Sequence, residues 1–276
     1  MASHFEMRNR AAATYNAAAD TYDSAANTFW ERFGRRTVER LQLRPGMRVL
    51  DVCAGSGASA IPAAESVGST GMVVAVDAAR TLLSLLERKA RARRLDHVHV
   101  VAGDLLNLGV TEPAFDAVVC VFGIFFVADM ERAVQELWRS VRPGGQLAVT
   151  TWGANVFEPM DSQFWDAVAA ERPDLYKAFN PWDALSDVTV LRQLLTNAGV
   201  PDARIEGETG VHPIAAPDAW WALVMGSGYR GTIDRMSTEA TDRVRARNDA
   251  YVISAGVDAI RTDVLYATAT KPSPSR

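Results

Sequence analysis

Short apolar runs at residues 47–52, 72–76, 98–102, 117–121 and 146–151 alternate with longer stretches whose apolar residues recur at helical spacing. Parallel strands need a long crossover, and the crossover helix covers the sheet, so this alternation predicts an α/β fold with a doubly wound parallel sheet. Helices are expected at 79–93 and 188–198. Three stretches fall outside this core, at 1–45, 153–186 and 213–261, and the pattern within them is helical rather than β. The chain divides into an N-terminal helical lid (1–45), a ligand-binding core (46–152), a helical cover (153–186), the remainder of the core (187–271) carrying the 213–261 insertion, and a disordered tail (272–276).

The first apolar run ends in Asp51-Val52-Cys53-Ala54-Gly55-Ser56-Gly57 and is followed by a helical pattern. A backbone can approach a ligand closely where glycine lacks a β-carbon, and the unpaired N–H groups of a first helical turn attract an anion. Residues 55–60 fit the G-x-G-x-x-G/A dinucleotide fingerprint, with Asp77 about where the ribose-binding acid belongs. Asp51 argues against a dinucleotide, because its charge would crowd a pyrophosphate, whereas an amino-acid tail carrying an ammonium would welcome it.

Further acids and glycines follow the other strands: Asp77 after the second, Gly103-Asp104 after the third, and Pro143-Gly144-Gly145 before the fifth. Taken together, residues 48–152 resemble the class I S-adenosylmethionine (SAM)-dependent methyltransferases, in the branch similar to ubiquinone/menaquinone C-methyltransferases. A weaker likeness covers 15–23, with its Tyr15-x6-Tyr22-Asp23 pattern, and the last strand. The resemblance implies a mostly parallel, seven-stranded Rossmann-like sheet with SAM as cofactor, S-adenosylhomocysteine (SAH) as product and no metal. It implies that Asp77 accepts both ribose hydroxyls, since a carboxylate offers two oxygens to two neighbouring donors. Ala78 and Leu82 would bracket the adenine, Asp104 would accept from its amino group, and the Leu105 N–H after Gly103 would read a ring nitrogen. Gly55 and Gly57, with Cys53, Ala54 and Ser56, would admit the methionine tail, and Asp51 would sit near its ammonium through water or backbone. Val121, Phe122 and Tyr22 complete the expected cofactor set. Asp77 has a plainer competing role as a helix cap, Gly-Asp at 103–104 is also an ordinary turn, and Asp116 reads as structural.

Two departures from the family pattern stand out. Cys53 replaces the usual first glycine of the loop, and a side chain there is expected to hold the residue to negative φ. Ile124-Phe125-Phe126 occupies a stretch where relatives often carry histidines, which leaves no imidazole there as a base.

The 276 residues are 48% hydrophobic, enough for one substantial core, and no apolar run nears the roughly 18–20 residues that span a bilayer. A net charge of −4 argues against nucleic acid, whose affinity comes from neutralised phosphates. The basic run 88–94 reads as the solvated end of a helix, and only Lys89, Lys177 and Lys271 among the 29 basic residues are lysines. Residues 1–10 show no apolar signal core, and Cys53 and Cys120 fall in the sheet, which points to a reducing cytoplasm. These cysteines are expected close together but reduced. They have no metal-site spacing, and His4, His97, His99 and His212 form no ligand cluster.

Five of seven tryptophans lie at or beyond Trp152, and the outer segments add Phe164, Trp165, Tyr176, Phe179, Trp220, Trp221 and Tyr251. An aromatic acceptor pocket is expected, drawn from Tyr15, Phe29, Trp30, Phe125, Phe126, Trp152, Phe157, Trp182 and Tyr229, although such rings equally serve as cores for small helical additions. Tyr15, Tyr22 and Phe29 recur every seven residues and would share one face if their segment were helical. If methyl transfer needs a base, Tyr15, Tyr22, His4, Asp129 and Tyr229 are the candidates. The reading is methylation of a small, ring-containing metabolite at N, O or C, with no stable membrane insertion and a homodimer conceivable. The alternatives are C-methylation of a prenylated quinone precursor, a NAD(P)-dependent oxidoreductase, and a non-catalytic SAM-binding interaction module.

Overall fold

The computed structural model describes residues 4–178 and 180–273. Phe179, the first three residues of the N-terminal segment and the last three of the tail lie outside the described residues. The sheet is built from β1 (Arg48–Val52), β2 (Met72–Asp77), β3 (Val98–Ala102), β4 (Phe115–Val121), β5 (Val141–Trp152), β6 (Arg204–Glu208) and β9 (Val264–Thr270). Their spatial order is β3-β2-β1-β4-β5-β9-β6. The first five strands run parallel, and β9 is antiparallel to both β5 and β6. A separate pair, β7 (Val211–Pro213) with β8 (Ala259–Arg261), closes off the last insertion.

Burial explains why the apolar runs became strands. Val49, Val52, Ala117, Val118, Val119, Ala148 and Val149 are fully buried because helices cover both faces of the sheet. The fifth strand begins earlier than its apolar pattern implied: Val141 pairs with Phe115, and the ladder shifts register before Ala117 pairs with Gln146. The strand order reverses its winding between β1 and β4, so a crevice opens beyond their carboxyl ends.

Over that crevice lie α1 (His4–Tyr22) and α2 (Phe29–Glu39). They are separate helices, so Tyr15, Tyr22 and Phe29 do not share one helical face; the chain bends at residues 23–28, where Asn27 donates to the Thr21 carbonyl at 2.9 Å. Asp23 anchors the bend: it accepts from Ser56 Oγ at 2.6 Å and pairs with Lys89 Nζ at 2.9 Å. Lys89 belongs to α4 (Arg80–Ala92), so one carboxylate ties the lid to the glycine turn and to the helix after β2. From the other side come α6 (Met160–Glu171), α8 (Pro217–Met225), α9 (Arg230–Ile233) and α10 (Thr238–Ala255). The outer face of the sheet carries α5 (Met130–Ser140) and α7 (Val188–Asn197), while α3 (Ala60–Val67) follows the glycine turn.

Helix α2 rests directly on the backbone before α3. A β-carbon on Gly34 would collide with the Ala58 carbonyl and come within 2.8 Å of Ala58 Cβ. Gly34→Ala is therefore expected to lift α2 and lower stability by about 1–3 kcal/mol, the usual cost of overpacking. Chemical denaturation checks this; an unchanged midpoint would show that the α2 contact is not tight.

Candidate cofactor and acceptor site

Each strand end contributes a different group to the crevice, which encloses about 950 Å³. The turn after β1 brings Cys53, Ala54 and Gly55; β2 brings Asp77 and Ala78, with Leu82 from α4; the turn after β3 brings Gly103, Asp104 and Leu105; and β4 brings Val121 and Phe122. The open side is closed by α1 through Arg8, Ala11, Ala12, Tyr15 and Tyr22. The first three of these escaped the sequence reading, although their spacing on a helix with Tyr15 marks one small-residue face.

Cys53 is not held to negative φ as expected. It adopts φ +60, and Phe122, which follows the adjacent strand, adopts φ +53. In this left-handed turn the Ala54 N–H reaches the Val76 carbonyl at 3.1 Å, and the Phe122 N–H reaches that of Thr150 at 2.9 Å. Such a conformation costs a side-chain-bearing residue about 1–2 kcal/mol, which these contacts offset. Gly123 leaves the room: a β-carbon there would collide with Cys53 Cβ and lie 2.6 Å from its sulfur. The Cys53 and Cys120 thiols are free, and the Cys120 thiol beside Cys53, together with burial, pushes the Cys53 pKa up.

Three carboxylates answer differently to their surroundings. Asp77 accepts from the Gly55 N–H at 2.8 Å and the Ala79 N–H at 2.7 Å, so it caps α4 and also borders the cavity. Burial still raises its pKa. Asp51 is fully buried below the turn and does not line the cavity; it accepts from Ser59 Oγ at 2.7 Å through Oδ2, while Oδ1 has no partner. Burial pushes its pKa up to about 7. Asp104 is engaged by α1: His4 Nε2 lies 2.9 Å and Arg8 Nη1 3.1 Å away, and the Leu106 N–H donates at 2.9 Å. Partial burial opposes ionisation there, but the Leu106 and His4 bonds prevail and hold the pKa below the ordinary value.

A smaller cavity of about 270 Å³ adjoins the first. Tyr15, Trp30 and Phe122 line both, so these rings stand where the two cavities meet. Phe125, Trp152, Phe157 and Trp182 complete an aromatic wall, with Ser227 and Gly228, which the sequence did not single out. Phe122 stacks on Trp152 at 4.0 Å and Trp30 on Tyr22 at 5.2 Å. Phe126 falls in the larger cavity instead.

Several expected residues lie elsewhere. Phe29 is fully buried behind Trp30, against Trp152, Phe157 and His212. Tyr229 gives its hydroxyl hydrogen to Asp161 and borders neither cavity. Asp129 caps α5 through the Arg132 N–H, and His4 reaches only Asp104. Ser56 bonds Asp23, and Gly57 faces Leu86 and Ile61, so neither borders the larger cavity. Burial also pushes the Tyr15, Tyr22 and Tyr229 hydroxyls well above their ordinary pKa, which makes all three poor bases near neutrality. Asp116 is structural, accepting from the Arg48 N–H at 2.7 Å and from Arg142 Nε at 2.7 Å. Among the described residues no group of three or more His, Cys, Asp and Glu side chains could hold a metal, and no helix is long and apolar enough to cross a membrane.

Residues 6–173 match the model of the ubiE/COQ5 methyltransferase family. The demethylmenaquinone methyltransferase of Oceanobacillus iheyensis is 34% identical over 111 residues, 40% of this chain and 47% of that protein. That of Geobacillus sp. is 33% identical over the same length, so the chain spans about half the length of the curated relatives it matches. Among solved structures, a putative methyltransferase of Bacillus halodurans aligns over 87% of this chain and 99% of its own, with TM-score 0.56 and 19% identity. A phosphoethanolamine N-methyltransferase 2 of Haemonchus contortus, in complex with S-adenosyl-L-methionine, aligns over 88% of this chain and 53% of its own, with TM-score 0.54 and 18% identity. These structural likenesses establish the Rossmann-like methyltransferase fold.

The buried Asp51 has a measurable signature. Its folded pKa of about 7 exceeds the ordinary 3.8, so the unfolded chain loses this proton first. The Asp51 contribution is complete below pH 4 and is lost as pH rises toward 7. Relative to wild type, Asp51→Asn should gain up to about 4 kcal/mol across that window, measured by denaturation at each pH. A difference independent of pH would show that Asp51 is already ionised in the native protein.

Proposed function

The chain belongs to the ubiE/COQ5 methyltransferase family, and from that premise we propose that it transfers the methyl group of SAM to a small, ring-containing acceptor at nitrogen, oxygen or carbon. The observation that carries this reading is the pairing of two adjoining cavities, one edged by Asp77 and Asp104 and the other walled by aromatic rings.

The residues present fit the cofactor. Each Asp77 oxygen uses one lone pair on a backbone N–H and keeps another for a ribose hydroxyl. Gly55, at φ +52, leaves open the cradle a β-carbon would fill, with Tyr22 Oη 3.3 Å from that point. Asp51 Oδ1 has no partner among the described residues, so an ammonium above the turn would favour ionisation of this buried carboxyl through the field rather than by contact. Asp104 can accept from adenine only by sharing or exchanging its bonds to His4 and Arg8. Bound there, SAM supplies a methyl group on a sulfonium that is already an activated leaving group.

The protein's own contribution is then mainly positional. Tyr15, Trp30 and Phe122 align an acceptor with the larger cavity, and holding two reactants in line is worth about 7–11 kcal/mol. A general base adds typically about 10²- to 10⁴-fold, and among the described residues no carboxylate or imidazole borders the smaller cavity. Its apolar wall excludes water and strips hydration from a neutral nucleophile.

The names of the curated relatives favour a second reading, ring C-methylation of a prenylated quinone precursor. A NAD(P)-dependent oxidoreductase is disfavoured by Asp51 beneath the turn and by the lack of a Tyr-x3-Lys pair among three lysines. A non-catalytic SAM-binding module would leave the aromatic cavity without a small acceptor.

Calorimetry separates these readings: SAM and SAH are expected to bind with micromolar constants and NADH not at all. Asp77→Ala should weaken SAH by about 1.5–3 kcal/mol, the worth of hydrogen bonds to a charged group. Binding of NADH in place of SAH would overturn the proposal, and an unchanged constant for Asp77→Ala would remove that residue from the site.

A further inference from the structure

We propose that the acceptor is a single flat ring bearing hydrogen-bond-accepting oxygen and no long apolar tail, and that Trp30 and Trp182 read its oxygens through their indole N–H groups. This deepens the methyltransferase reading and rests on it. Trp30 and Trp182 are 6% and 7% exposed, both line the smaller cavity, and the Nε1 of each is buried without a partner among the described residues. An indole nitrogen can only donate, and buried donors are nearly always satisfied. Two unpaired donors on one cavity therefore call for acceptor atoms in its occupant.

The rest of the wall narrows the class. Among the described residues no lysine, arginine, aspartate or glutamate borders this cavity, so a zwitterion or free acid would find no counter-charge. An ammonium could rest against ring faces, but it would leave both indole donors unsatisfied. Flat rings at stacking and edge distances, such as Phe122 on Trp152 and Tyr15 against Phe126, suit a planar guest.

Size sets the third limit. The space left among the lining rings is narrow and admits at most one small, flat group. Behind it the packing is solid: Phe157 rests on Phe29 and Tyr229, and Tyr229 in turn on Phe164, Trp165 and Trp220. Trp182, Ser227 and Gly228 also lie beyond the residues that match the family.

Ligand-observed NMR on the full chain, with and without saturating SAH, tests the proposal with four probes: 4-hydroxyacetophenone, its oxygen-free counterpart 4-ethyltoluene, benzylamine, and a quinone carrying several isoprene units. The expected order places 4-hydroxyacetophenone first. Trp182→Phe keeps a ring but deletes the donor; it should weaken that probe about three- to tenfold, leave 4-ethyltoluene unchanged and leave the SAH constant unchanged. Trp30→Phe should also weaken 4-hydroxyacetophenone, with SAH measured alongside because Trp30 borders both cavities. Preference for benzylamine, 4-ethyltoluene or the tailed quinone, no binding of 4-hydroxyacetophenone, or an unaltered constant in Trp182→Phe overturns the proposal. Failure of SAH to bind contradicts the cofactor reading instead, and the probes alone still report on the cavity.

Discussion

The Asp77 carboxylate, holding the Gly55 N–H with one oxygen and the Ala79 N–H with the other, is the interaction on which the site depends. It fastens the turn after β1 to the end of β2 and the start of α4, so three elements meet at one half-buried group. Charge-assisted hydrogen bonds of this kind are about twice as strong as neutral ones. Burial raises the carboxylate's pKa even so, which means that the fold holds the charge in place at some cost to itself. The left-handed residues Cys53 and Phe122 do the complementary work, turning two neighbouring strand ends apart where the sheet changes its winding.

The N-terminal segment makes this open crevice a chamber. Its two carboxylate contacts work at opposite ends: Asp23 grips Ser56 and Lys89 near the glycine turn, while His4 and Arg8 hold Asp104 at the end of β3. The first contact fixes where α1 ends, and the second fixes where it begins. Because the second uses the acid that would read adenine, closing the lid and binding the cofactor compete for the same oxygens.

Much of this was legible in the residues. Apolar runs and crossover helices gave the sheet, and the acids at 77 and 104 with Gly55 gave the cavity rim, because strand-end chemistry is local in sequence. What was hidden depends on distant contacts. Cys53 takes a positive φ because Gly123, seventy positions later, has no side chain. Phe29 turns away from Tyr22 because the helix breaks at Asp23, and Tyr229 is drawn to Asp161 rather than to the cavity. Arg8, Ser227 and Gly228 reach the cavities only through the docking of helices, which no periodicity reveals.

The central claim is that the carboxyl ends of β1, β2 and β3 together cradle an adenosyl amino acid under α1. A crystal structure of the SAH complex tests it most directly. Difference density should place the ribose against Asp77, the adenine between Leu82 and Asp104, and the sulfur toward Tyr15, Trp30 and Phe122. Density for SAH anywhere other than along those strand ends would contradict the account.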